Sequence, residues 1–163
     1  MEEETYLILF WGKMIPLQGV PYIQKAAELL QGKQIEIRIL GDPPIPYDEL
    51  PAIIRKADIC LGIFGDTDKA MRVIPNKVYE AIAMGKPVIS GDSPAIRELF
   101  TDRKNILFCK MADPKDLADK IIELKNNDAL RERIAHSGHE LYLNKLKPEH
   151  VVNPLISYFH ESR

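Results

Sequence analysis

The chain has 163 residues, enough for one domain with a proper core. Hydrophobic residues make up 45% and charged residues 28%, the balance of a soluble globular protein and not of a disordered or membrane-embedded one. A net charge of −2, with bases and acids interspersed, argues against a nucleic-acid surface or a polybasic membrane arm.

The opening MEEETYLILF carries acids where a signal peptide needs bases, and no apolar run reaches transmembrane length. Tyr6 to Trp11 is a continuous apolar run, as in a buried parallel strand. Gly12-Lys13 follows at its carboxyl end, then a loop from Met14 to Gly19. Pro21 opens a helix with Ile23, Ala26, Ala27 and Leu30 on one face, and Gly32 ends it. Gln34 to Leu40 is a second strand; its alternation of Ile35, Ile37 and Ile39 with Glu36 and Arg38 predicts less complete burial. DPPIP is a turn-prone connector, and Tyr47 to Lys56 reads as a short helix with Pro51 near its start. Ile59 to Phe64 is a third buried strand, followed by the polar loop GDTDKAMRV.

The stretch from Met71 to Ser90 reads as loop, helix, turn and buried strand. Pro75 fits the first helical position, where its missing N–H costs nothing. Gly85 stands where a left-handed C-cap belongs, and Pro87 to Ser90 is a fourth strand. Val78, Ala81 and Ile82 suit a core, while Lys77 and Glu80 are three apart on another face. A cation near a helix N-terminus with a carboxylate one turn on suits a nucleotide: phosphate seeks the free N–H groups, and ribose hydroxyls seek the carboxylate. Read alone, the pair is more often an ordinary surface ion pair on a crossover helix.

Pro94 starts a short helix, and Ile106 to Cys109 is a fifth strand. Asp113-Pro114 is a strong helix start, giving a helix to about Lys125. A second helix runs through ALRERIAHSGHELYLNKL, and the tail from Lys147 reads as a last helix with Val151, Val152, Leu155, Ile156 and Phe159 apolar. Cys60 and Cys109 sit in apolar runs, which predicts two buried, reduced thiols in a cytoplasmic protein. His136 and His139 are three apart on a predicted helix; with no third ligand they read as a solvated face and not a metal site.

Strands alternating with helices predict an α/β domain: a parallel sheet with helices on both faces, three layers in all. In such sheets ligands bind at the carboxyl ends of the strands. Gly12-Lys13, Gly41-Asp42, Gly65-Asp66 and Gly91-Asp92-Ser93 lie there, four small-then-polar strand ends forming a candidate rim. Asp42, Asp66, Asp68 and Asp92 are candidates for base or sugar contacts, each with an alternative as a turn or cap residue, and Glu98 is equally a helix-face carboxylate. Trp11 reads as core more than as a stacking platform. The dinucleotide and P-loop glycine signatures are absent from the sequence.

In their order, Gly12-Lys13, PLQGV, AAELL, RILGD, ADICLGIFG, PNKVYEAIAMGKPVI, GDSPAIREL, NILF, DPKDLADKI and DALRERIA resemble the C-terminal domain of family-4, GT-B-type retaining glycosyltransferases. The resemblance runs over nearly the whole chain and is most specific at 75–89. It implies a single Rossmann-like domain over 1–163, the C-terminal half of a GT-B fold, with 147–163 as closing helix and tail. It implies a UDP- or GDP-sugar as donor substrate, with no further cofactor. Glu80 matches the second glutamate of the family's paired-glutamate motif and is expected to hold the ribose hydroxyls. Lys13 matches the basic residue facing the diphosphate. Lys13 and Lys77 are the expected leaving-group stabilisers, and Gly12, Gly41, Asp42, Arg72, Pro75 and Asn76 complete the expected site.

The sequence departs from that pattern in places. Arg72 occupies the position of the first glutamate, and Gln18 stands where many members carry a diphosphate-binding lysine, so Lys77 or Arg72 is expected to supply that charge. The run from Gly41 to Tyr47 is short where the family usually inserts a helix and strand. The implied partners are the N-terminal domain of such an enzyme and, through it, a glycan or lipid-linked acceptor. The tail would dock on that domain or form a homodimer contact. The implied setting is cytoplasmic, peripheral to the inner membrane face in the full-length enzyme. Alone, the domain is expected to transfer nothing. The alternative is a non-catalytic interaction or regulatory module built on the same fold. A phospho-acceptor receiver domain and a nucleotide-sugar 2-epimerase match the residues less well.

Overall fold

The structure, a computed structural model, describes residues 4–161. The outermost residues of the expected domain and tail, 1–3 and 162–163, lie outside the described residues. Five strands form one parallel sheet: β1 (Tyr6–Trp11), β2 (Ile35–Leu40), β3 (Ile59–Leu61), β4 (Val88–Gly91) and β5 (Leu107–Cys109). Their spatial order is β2-β1-β3-β4-β5. The pairing runs from Tyr6 opposite Ile35 to Trp11 opposite Leu40, so the ends of β1 and β2 finish level. The edge position of β2 explains its alternation, since Glu36 and Arg38 are exposed while its isoleucines are half-buried.

The helices are α1 (Val20–Leu29), α2 (Leu50–Arg55), α3 (Asn76–Ala83), α4 (Pro94–Arg97), α5 (Pro114–Asn126), α6 (Asp128–Leu141) and α7 (Pro148–Glu161). Alternate strand residues point to opposite faces of the sheet. Ile8 and Phe10 join Ile23 of α1, Ile121 of α5 and Ile134 of α6 in one core layer. Leu9 and Trp11 join Ile54 of α2, Val78 and Ile82 of α3, and Ile96 of α4 in the other. The expected α/β arrangement is therefore observed. Both cysteines are free and buried, as expected, and burial pushes the Cys60 thiol up to about 12.

Several boundaries differ from expectation. The second helix begins at Leu50 and not Tyr47, with Pro51 in its first turn, where no N–H is needed. β3 is shorter than ICLGIF suggests, although pairing continues: Gly62 N donates to Ile89 O at 2.8 Å, and Gly91 N to Ile63 O at 2.9 Å. Pro75 is the N-cap of α3, not its first helical residue, because its ψ of 149° is still extended. Gly85 does adopt the left-handed conformation, at φ 71°. The long sixth helix stops at Leu141 and passes through a wide turn over Tyr142–Leu146.

His136 is exposed, 3.3 Å from Glu140, but His139 is not on a solvated face. Its Nδ1 meets Ile82 O at 3.0 Å, where α6 crosses the end of α3. Gly138 permits that crossing: a Cβ there would stand 3.1 Å from Ile82 Cγ2 and from Asn105 O. The tail forms α7 as expected, but Val151, Val152, Leu155, Ile156 and Phe159 are all exposed. Among the described residues no helix is long and apolar enough to cross a membrane.

Candidate functional site

The rim is built from backbone that passes too close for side chains. Gly41 sits at φ +147°, and a Cβ on it would come within 1.8 Å of Gly12 O. Gly12 itself is at φ +151° and donates from N to Leu40 O at 3.0 Å. The ends of β1 and β2 are thus pressed together by two residues that have to be glycine. The loop after β1 is pinned in turn to the end of β3. Phe64 N donates to Gln18 O at 3.0 Å and Gly65 N to Leu17 O at 3.2 Å. A Cβ on Gly65 would stand 2.2 Å from Pro16 O. This packing holds Gln18 over the β1 end.

α3 aims its first turn at the same place. Pro75 caps it without a side-chain hydrogen bond, which leaves the early N–H groups of the helix directed at the rim. Asn76 is exposed beside them. Lys77 is not a surface residue, for only 6% of it is accessible. Its Nζ lies 3.8 Å from the centroid of the Phe10 ring and donates to Gln18 Oε1. The ammonium crosses over Gly12, where a Cβ would meet it at 2.7 Å. Burial lowers the Lys77 pKa to about 7, and the neighbouring Glu80 charge opposes that shift. An ammonium with one neutral acceptor and an aromatic face is short of negative partners.

Glu80, one turn along, is half-buried, and Trp11 Nε1 donates to its Oε2 at 2.8 Å. Trp11 is core, as expected, yet it also reaches the site, which the sequence reading missed. The available signal was chemical: a buried indole N–H seeks an acceptor. Two concavities flank this pair. One, of about 200 Å³, is lined by Trp11, Gly12, Lys13, Gly41, Ile45 and Leu50. The other, of about 270 Å³, is lined by Tyr47, Leu50, Ile54, Tyr79, Glu80 and Tyr142. Leu50 belongs to both.

The remaining candidates divide. Lys13 is exposed at the mouth of the smaller cleft, and Asp42 is exposed beside Gly41. Arg72 points elsewhere, donating from Nε to Asp68 O at 3.2 Å. Asp92 is paired with Arg97, both guanidinium contacts at 2.6 Å, which favours its turn reading. Asp66 and Glu98 are exposed, Glu98 as the C-cap of α4. Between Gly41 and α2 no helix or strand is inserted, as the shortness of that run predicted. No cluster of metal-ligating side chains occurs among the described residues.

Residues 21–157 match the model of the Glycosyl transferase-like family. The chain belongs to that family. An uncharacterized glycosyltransferase of Methanocaldococcus jannaschii is 27% identical over 150 residues, covering 81% of this chain and 42% of the relative. The D-inositol 3-phosphate glycosyltransferase of a Nocardioides species is 24% identical, covering 86% of this chain and 38% of the relative. The chain therefore spans about two fifths of the length of these two curated relatives. Among solved structures, the C-terminal domain of a group 1 glycosyl transferase from Francisella tularensis has a TM-score of 0.72 at 18% identity, covering 91% of this chain and 95% of that one. Anabaena HepE, solved with UDP and glucose, has a TM-score of 0.80 at 14% identity, covering 98% of this chain and 49% of that one. The fold is that of the C-terminal domain of a GT-B glycosyltransferase.

Proposed function

We propose that this chain is the donor-binding domain of a glycosyltransferase, holding a UDP- or GDP-sugar at the carboxyl end of its sheet. The observation that carries the reading is Lys77, a buried cation at the first turn of α3 with no anionic partner in hydrogen-bond contact among the described residues. Such a group is costly to keep unless an anion comes to it. A diphosphate there would also accept from the free N–H groups of the α3 first turn. Gln18 stands where many family members carry a lysine, and its contact with Lys77 brings a positive charge to that place from another element. Arg72 faces away and is the weaker candidate for this task.

In this reading Glu80 accepts from the two ribose hydroxyls, and Lys13 faces the diphosphate from the cleft mouth. The base lies in the smaller cleft against Gly41 and Ile45. Asp42, Pro75 and Asn76 border the donor. As the glycosidic bond to the donor sugar breaks, Lys13 and Lys77 stabilise the charge growing on the leaving diphosphate. The structural neighbour with UDP bound supports a nucleotide-sugar donor. A hexose-type sugar and a glycan or lipid-linked acceptor complete the proposal. The acceptor would be bound by an N-terminal domain that the longer relatives have room for. The exposed apolar face of α7 is the surface that would meet such a domain, or a second copy.

Calorimetric titration with UDP, GDP and ADP tests this, with Glu80→Ala and Lys77→Ala as controls. Saturable binding of one nucleotide, weakened by both changes, is the expected result and names the base. Failure of all three at millimolar concentration, with the N-terminal domain supplied, would favour a non-catalytic interaction module.

A further inference from the structure

Trp11 is the chain's single tryptophan, at the last position of β1. The residue is 6% accessible and packs in the core layer with α2 and α3. Only its N–H reaches polar company, and that partner is Glu80, 69 residues away on α3. An indole N–H can only donate. It therefore fixes one lone pair of Oε2, while the half-buried carboxylate also lines the larger concavity. A glutamate has enough rotatable bonds to turn away from a ligand or to sample several directions. A rigid, buried donor on the central sheet removes that freedom before any ligand arrives. The same ring walls the smaller cleft, next to Gly12 and Lys13.

We infer that Trp11 is a positioning residue, its indole N–H holding the Glu80 carboxylate at the orientation in which it accepts from the ribose hydroxyls of a bound nucleoside diphosphate. This rests on the assignment of Glu80 to the ribose. The competing view is that the bond only staples α3 to the sheet. A staple would change stability and leave Glu80's dealings with ribose alone, whereas a positioning bond acts through Glu80 and only through it.

A double-mutant cycle separates the two. Calorimetry with UDP, GDP and ADP on the protein first identifies the nucleotide that binds. Trp11→Phe, which keeps an aromatic ring and removes the donor, is then compared in the parent and in Glu80→Ala. The expected result is a loss of about tenfold in affinity in the parent, in line with a hydrogen bond to a charged group, and under about twofold in the Glu80→Ala background. Equal loss in both backgrounds, or no loss in either, would overturn the inference. Tryptophan fluorescence supplies an arm that needs no change at Trp11. Glu80→Ala should shift the emission of the unliganded protein and alter the change that saturating nucleotide produces. An emission spectrum and a nucleotide response indifferent to Glu80→Ala would equally overturn it. If Glu80→Ala leaves nucleotide affinity intact, the ribose assignment fails, and the positioning role with it. If Glu80→Ala weakens binding but Trp11→Phe acts alike in both backgrounds, only the positioning role fails.

Discussion

Replacing Lys77 by methionine tests how the site is poised. Methionine keeps an unbranched apolar stem against Phe10 and removes the charge. In the folded protein the Lys77 pKa stands at about 7, against 10.5 for a free lysine. Between those two values the unfolded chain holds a proton that the folded chain has given up. Stability therefore rises with pH across that window. Below about pH 7 both states are protonated and the contribution is constant. Integrating the proton difference from pH 7 to pH 9 gives the parent a gain of about 2 kcal/mol relative to the variant. The full gap corresponds to roughly 5 kcal/mol once pH passes the free-lysine value. Glu80, Gln18 and Phe10 are the groups facing the ammonium, and of these only Glu80 is charged. Tyr6 and both thiols also titrate abnormally, but they are common to the two proteins and cancel in the comparison. Urea unfolding of both proteins at pH 6, 7, 8 and 9 reads the effect. Parallel stability curves over that range would refute the argument that Lys77 is buried without adequate compensation.

The remaining predictions concern the scaffold and its ligand. Gly41→Ala should cost about 3 kcal/mol or more, since the new Cβ would fall 1.8 Å from Gly12 O at a φ that side chains avoid; denaturation and nucleotide titration should both register it. Lys86→Met should cost about 1 kcal/mol in urea unfolding, because Lys86 Nζ donates to Arg55 O at 2.8 Å and Ala57 O at 2.7 Å where α2 ends. Ser93→Ala should cost about 1 kcal/mol, because its buried hydroxyl accepts from Ile96 N at 3.2 Å and caps α4. On the proposed donor reading, nucleotide binding near pH 8 should take up close to one proton, because a diphosphate favours the charged form of Lys77; calorimetric heats should then depend on the buffer's ionisation enthalpy, and Lys77→Met should abolish that dependence.

The sheet was legible because its signals are local and redundant. A run such as YLILFW can only be buried on both sides, and the Glu36 and Arg38 alternation marked β2 as the less covered strand. Asp113-Pro114 announced α5 by a cap and a fixed φ, and Asp113 Oδ1 does accept from Asp116 N at 2.9 Å. Boundaries failed where the decisive contact is distant in sequence. The start of α2 gives no local sign, with three prolines before it and one inside its first turn. His139 reads as polar until α6 is laid across α3, where Ile82 O receives it.

The site was half legible for the same reason. Periodicity put Lys77 and Glu80 together and away from the apolar stripe of Val78, Ala81 and Ile82, which is correct. It then treated the polar face as the wet face, which is wrong for Lys77. A helix pattern knows only its own axis, and α3 begins near the end of β1, so Lys77 looks across the end of the sheet and not into solvent. What admits the lysine there is the missing side chain at Gly12, together with the Phe10 face beneath it and Gln18 beside it. Each of those residues had its own explanation in the sequence: a turn glycine, a core aromatic, a lost cation. Only their convergence turns a surface ion pair into a buried cation and a separately anchored carboxylate. A packing-driven core would have replaced that lysine with an apolar residue. A buried lysine beside a glycine rim is the strongest physical reason to look for an anion at this end of the sheet.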